Sequence, residues 1–242
     1  MPLKIDLEDF ERRSFLLTLV GAGTLGGFVL SEFVKSCFAM GAFKYPTGIQ
    51  KLKGTVLING VPAAEGDIIK PGDMVATGPD SMVIFIVDKS VYLLRADTRL
   101  EIQIEQSTSK IKAGIEIARI LNGKVLAVFG RRRNKRLITQ TAVVGIRGSA
   151  AYVETEPERT YICLCYGKAD LRVKDNPSVF ESVQTSHHES PRYIYKSGRD
   201  TLIEPAPVKN HTDAELIMLE GIAWRRPPFA DKGDGNNGGG GY

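Results

Sequence analysis
The chain has 242 residues, 43% of them hydrophobic and 25% charged, with a formal net charge of +4. That size and balance fit one good-sized soluble domain with an extension, and the small positive charge is no argument for nucleic acid. Three cysteines are too few for a disulfide framework.

At the N-terminus, ERRSFLL places Arg12 and Arg13 before Ser14, Phe15 and Leu16. An uncharged stretch rich in Gly, Leu and Val follows, from Ser14 to Ser31. Paired arginines, Phe-Leu and a moderately apolar run resemble a twin-arginine export signal, with Arg12, Arg13, Phe15 and Leu16 as its core. Residues 1–40 are therefore expected to be a signal peptide or, if uncleaved, a membrane anchor. A cut after Ser36 or Ala39 suits the small residues there. The implied location is the bacterial periplasm, either free or facing it from the inner membrane. A buried N-terminal helix is the plain alternative.

From Leu52 onward, apolar runs alternate with turn residues. LKGTVLING reads as a strand ending in a turn at Asn59-Gly60. SMVIFIVDKS is apolar on both faces and so is expected between two layers. VYLLRADTRLEIQIE gives two strands, the second alternating through Leu100, Ile102 and Ile104. GIEIARILNGKVLAVFG reads as a pair joined at Asn122-Gly123. AYVETE, TYICLCYG and KADLRVK follow as further strands. The pattern predicts an all-β fold, a multi-stranded sandwich or solenoid with a short C-terminal helix.

Two stretches in this region carry a family resemblance. GDIIKPGDMVATGPDS (66–81) and GIRGSAAYVE (145–154) are similar to the paired landmarks of the FecR domain, Ser149 standing where Thr is usual. The resemblance runs from about Leu52 to Val173. It implies an extracytoplasmic β-domain, taken as residues 50–175, of a kind that serves membrane-anchored signal transducers in iron uptake. The cytoplasmic part that controls a sigma factor in that family is not expected in the short stretch ahead of Arg12. Physically, Gly66-Asp67 and Pro71-Gly72-Asp73 are expected to be tight turns capped by Asp. Gly145 and Gly148 flank Arg147 where a strand bends. Arg147 is a candidate anion-binding residue or, more plainly, a tie to a nearby carboxylate or carbonyls.

TYICLCYG raises the chemical question. In a strand, Cys163 and Cys165 share one face with Tyr161, leaving Ile162, Leu164 and Tyr166 on the other. Their Cα atoms would lie about 6.5–7 Å apart, the upper limit for a disulfide. Three readings stand: small residues in a core, a redox or intermolecular disulfide role, or a site for copper, zinc or iron. The last would draw on His187 and His188, in the polar segment SVQTSHHESPRY, and on His211. The run NHTDAE holds Thr-x-x-Glu, a capping box for a helix from about Asp213 to Glu220 that stops at Gly221. His211 thus sits just before that helix. Residues 176–230 form a Cys/His-associated extension.

Arg131, Arg132 and Arg133 open a cationic run between strands, a solvated hairpin tip or a contact for anionic lipid headgroups or an acidic partner. Trp224 begins WRRPPF, an extended segment that docks on the body or on a partner. Residues 231–242 are low-complexity and expected to be disordered. No nucleophile elbow, phosphate loop or His-Glu-x-x-His motif occurs. The expectation is a non-enzymatic binding or sensing module with an envelope protein partner and no nucleic acid. A metal-binding or redox protein built on Cys163, Cys165, His187, His188 and His211 is the first alternative, and a scaffold for an envelope complex the second.

Overall fold
The computed structural model describes residues 47–105, 114–130 and 134–230. The export motif at Arg12, Arg13, Phe15 and Leu16, the Arg131–Arg133 run and the low-complexity tail lie outside them. The strands in chain order are β1 (Gly48–Lys53), β2 (Val56–Ile58), β3 (Val61–Pro62), β4 (Met74–Thr77), β5 (Met82–Val87), β6 (Ser90–Leu94) and β7 (Arg99–Glu105). Then come β8 (Ile115–Val128), β9 (Asn134–Ile138), β10 (Ala142–Thr155), β11 (Arg159–Val173), β12 (Phe180–Thr185), β13 (Arg192–Tyr195) and β14 (Ile203–Pro205). One helix, α1 (Asp213–Ile222), follows. The fold is all-β, and the 14 strands belong to one hydrogen-bonded mixed sheet, with β8 and β9 its parallel pair.

The sheet stays continuous because β8, β10 and β11 are long and bent. Asn122-Gly123 was expected to close a hairpin, but β8 runs straight through it. Its first part pairs with β7 and β9 and its second part with β6 and β10. Gly123, at φ 94°, is where the strand turns. A Cβ there would come within 2.5 Å of the Thr98 Cα, so only glycine lets the β6–β7 connection approach. TYICLCYG and KADLRVK likewise form one strand, β11, bent at Gly167 (φ 99°). Asn59-Gly60 does make the tight turn between β2 and β3, with both residues at positive φ. The expected Asp caps are present: Asp67 accepts from the Ala64 N–H (2.8 Å) and Asp73 from the Lys70 N–H (2.7 Å).

Period-two alternation divides the apolar side chains between two cores. Phe85, Leu94, Val125, Val153, Ile162 and Leu164 face the first, which the curled sheet encloses. Ile84, Leu93, Leu126, Tyr152, Tyr161 and Cys163 face the second. This is why SMVIFIV is apolar on both sides. The second core is closed by α1, which buries Leu216, Met218, Leu219 and Ile222. At about 1.5–3 kcal/mol for each such side chain, the apolar face alone holds the helix on the sheet.

The helix begins as predicted. Thr212 Oγ1 accepts from the Glu215 N–H, and Glu215 Oε2 accepts from the Thr212 N–H. It ends later than predicted, passing through Gly221. The Trp224 N–H bonds to Gly221 O and the Arg225 N–H to Glu220 O. That pair of bonds is a Schellman motif whose left-handed residue is Trp224, at φ 57°. Among the described residues no helix is long and apolar enough to cross a membrane.

Candidate metal centre
The site begins with an irregularity in β11. Ala150 pairs with Tyr166 and Ala151 with Leu164, so Cys165 is an extra residue without a partner on β10. Such a bulge bends the strand and re-aims the side chains beyond it. Cys163 and Cys165 face the second core with Tyr161, as the spacing predicts, but Tyr166 joins them there. The expectation that it would face the other way with Ile162 and Leu164 fails because the bulge shifts the alternation. Tyr166 instead donates its hydroxyl to Glu220 on α1.

The outer edge of β11 then has a gap. Residues 159–162 pair with β13 and residues 167–172 with β12. Between them neither strand covers 163–166. The loop joining β12 to β13 fills the opening, and the His188 N–H takes the free Cys165 carbonyl at 3.0 Å. Glu189 shapes this loop by accepting from Thr185 Oγ1 (2.6 Å), the Ser186 N–H (2.7 Å) and Ser186 Oγ (2.6 Å). The Ser186 hydroxyl first, with Thr185 and the backbone, holds the Glu189 carboxyl down to about 2.

His211 arrives from the other side, on the segment leading into α1. Asn210 Nδ2 donates to Glu154 (2.6 Å), Lys209 Nζ pairs with Glu154 (2.7 Å), and Arg95 reaches both Asn210 O (2.6 Å) and Glu215 (2.8 Å). The His211 ring stacks on Tyr152 with centroids 4.7 Å apart. Burial opposes the Glu154 charge, but Lys209, Asn210 and Tyr152 outweigh it and its pKa is lowered.

The outcome is a cluster of Cys163 Sγ, Cys165 Sγ and one ring nitrogen each from His188 and His211, all within 4.8 Å of one another. Both cysteines are free and fully buried. His188 Nδ1 lies 3.4 Å from Cys163 Sγ and 3.0 Å from His211 Nε2. A tetrahedral zinc with ordinary Zn–S and Zn–N bonds would place sulfur and nitrogen about 3.5 Å apart and two nitrogens about 3.3 Å apart. The apolar and aromatic walls, Tyr152, Tyr161 and Leu216 among them, belong to the second core.

The hydrogen-bond partners fix the tautomers. His211 Nδ1 lies 2.7 Å from Lys209 O, an acceptor only, so it carries the proton and Nε2 is bare. His188 Nε2 lies 3.0 Å from Asp213 Oδ1, so it carries a proton. His188 Nδ1 and His211 Nε2 face each other at 3.0 Å. Either a proton on His188 Nδ1 or a metal ion between the rings satisfies that contact. Cys163 is held well below the ordinary thiol range, by Cys165 first and then by His188 and His211, against burial. Cys165 is pushed up by burial and by its neighbour's charge. Burial disfavours protonated His188, but Cys163 and Asp213 prevail and its pKa is raised.

The structure thus brings together four of the five predicted ligands. His187 stands outside, its Nε2 at 2.9 Å from both Asp213 oxygens and its ring stacked on Phe229 at 4.5 Å. Asp213 was missed in the sequence, where its place after the cap Thr212 reads only as helix-start chemistry. The other predicted binding residues lie apart. Arg147 is exposed and pairs loosely with Asp170 at 3.5 Å. Trp224 is 67% exposed, and it is Phe229 of that segment that docks on the body, against Tyr166 and His187.

The sequence matches no protein-family model. It matches no curated protein either. Among solved structures it is similar to a candidate anti-sigma factor from Parabacteroides distasonis ATCC 8503. The crystal structure of that protein at 1.65 Å gives a TM-score of 0.44 at 14% identity, over 55% of this chain and 59% of that one. A second crystal structure, at 2.50 Å, gives 0.43 at 12% identity with the same coverage. The likeness therefore spans a little over half of each chain.

Proposed function
We propose that the chain is a non-enzymatic metal-binding module of the bacterial cell envelope, holding one zinc(II) ion through Cys163, Cys165, His188 and His211. The observation that carries this reading is the convergence of two buried cysteine sulfurs and two imidazole nitrogens within 4.8 Å of one another. An S2N2 donor set suits zinc. Two thiolates and a divalent ion sum to zero charge, whereas copper(I) would leave a net negative charge in an apolar core. Four protein ligands fill the tetrahedron, so the ion has no open position for a substrate and serves structure or sensing. Envelope placement is supported by the Arg12-Arg13-x-Phe-Leu pattern, and a metal would protect the thiols in an oxidising compartment.

The test is elemental analysis of the full chain purified from its native envelope, with free thiols counted on the same sample. One equivalent of zinc with both described thiols masked is expected. No metal and two buried, slowly reacting thiols would overturn the reading.

A second reading, sensing of an envelope partner, rests on the resemblance of 66–81 and 145–154 to the FecR landmarks. A partner should then shield the 50–175 region from limited proteolysis. Unchanged cleavage in the presence of envelope proteins counts against it.

A further inference from the structure
The zinc reading leaves one contact of His188 without a role, and it is a contact to the helix. The ring has two nitrogens and both are engaged. Nδ1 faces the cluster, while Nε2 faces Asp213, the first residue of α1. A carboxylate on the far nitrogen of a ligating histidine fixes its tautomer and ring plane and makes the near nitrogen a better donor.

Resting on the zinc reading, we propose that Asp213 is a positioning residue for the metal centre, acting through His188. The alternative role for an acidic side chain at this place is to offset the positive end of the helix. Three observations favour the first. The carboxylate lies 3.0 Å from the His188 nitrogen opposite the one that faces the cluster. The first turn already holds a second carboxylate, Glu215, at the positive end of the helix. His188 has a positive φ of 55°, so the backbone does not choose the ring's direction by ordinary strand geometry, and the Asp213 bond supplies that choice.

One consequence is that one ligand, His211, and the positioning carboxylate, Asp213, lie on the C-terminal arm that leads into α1, whereas the cysteines lie on β11 and His188 on the β12–β13 loop. Ion binding and docking of the arm are then reciprocally linked.

The experiment measures zinc affinity of the full chain by competition with a chromophoric chelator. It is run on the unaltered protein and on the variants Asp213→Asn, Asp213→Glu, His187→Ala and Cys163→Ser. Asp213→Asn should weaken binding about 10- to 100-fold. The melting temperature of the metal-free variant should match that of the metal-free parent. Asp213→Glu, which keeps the carboxylate, should recover most of the loss. His187→Ala should bind as the parent does, because its contact to Asp213 is not part of the relay. Cobalt(II) at saturation should give the same four-coordinate spectrum in the parent and in Asp213→Asn. Affinity in Asp213→Asn within about twofold of the parent would overturn the proposal, and so would equal losses in Asn and Glu variants that track a lower metal-free melting temperature. In both cases loss of binding in Cys163→Ser would leave the centre itself standing. No zinc on the parent would remove the centre and the proposal together.

Discussion

Two polar clusters are buried in this protein, and they are built on opposite rules. In one, Lys135 Nζ meets Glu116 at 2.7 Å with both side chains almost fully buried, and Tyr92 donates its hydroxyl to the other Glu116 oxygen. Each donor there is aimed at an acceptor, and the charges cancel. In the other, Cys163, Cys165, His188 and His211 bring two sulfurs and two imidazole nitrogens, each able to ligate a metal, within 4.8 Å of one another. Burial of polar groups does not by itself mark a site. The Lys135 cluster pairs its charges internally, whereas the Cys/His cluster is, on the proposed reading, completed by a metal ion. The contrast can be broken by experiment, and the largest effect is expected from the metal. Zinc at about a thousandfold above its Kd should stabilise the parent by about 4 kcal/mol. Cys163→Ser should abolish that gain while changing the metal-free stability by only about 1 kcal/mol. Equal zinc stabilisation in both, read from thermal melts, would show that the cluster is as complete as the other.

The second effect falls on the saturated cluster. Lys135→Met removes one partner of a buried pair and strands the Glu116 carboxylate, which should cost about 3 kcal/mol in urea unfolding. Zinc stoichiometry should not move. Had the two clusters been of one kind, both substitutions would lower stability and neither would change metal content.

Parts of this contrast could be read in the chain. The i, i+2 spacing put Cys163 and Cys165 on one face, and Thr-x-x-Glu put His211 at a helix start. What could not be read was why His188 rather than His187 turns inward. That depends on the bulge at Cys165, on the gap it leaves between β12 and β13, and on the free carbonyl that His188 takes up. These are matters of pairing between strands far apart in sequence, and local periodicity does not encode them. A signal existed in Gly167, since glycine inside an apolar strand marks a bend or bulge. The fold class followed from the alternation itself. The merging of short runs into β8, β10 and β11 did not, because glycines at 123 and 167 look like turn residues when only neighbours are considered.

A smaller effect sharpens the comparison at the edge of the Cys/His cluster. Glu154 is charged in the fold because Lys209 and Asn210 support it, and its pKa is lowered from 4.5. A depressed carboxyl contributes stability above its unfolded pKa and loses it as pH falls through the folded value. Stability should therefore decline on acidification below about pH 4.5. Glu154→Gln should be less stable by about 1–2 kcal/mol at neutral pH and should show a shallower acid slope. An unchanged slope in melting temperature against pH would assign the acid sensitivity elsewhere.

The smallest effect concerns strain in the backbone rather than in donors and acceptors. Trp224 occupies the left-handed position of the Schellman motif, where glycine is usual, and its ring is 67% exposed. A side chain with a Cβ pays about 1 kcal/mol there that glycine does not. Because the ring is mostly exposed, its removal sacrifices little burial. Trp224→Gly should therefore raise stability by about 1 kcal/mol, or about 2–4 °C in melting temperature, with metal affinity unchanged. A lower melting temperature would mean that the ring's remaining contacts outweigh the backbone cost. A rise would show that the left-handed backbone at Trp224, and not its ring, dominates the energetics of this helix end.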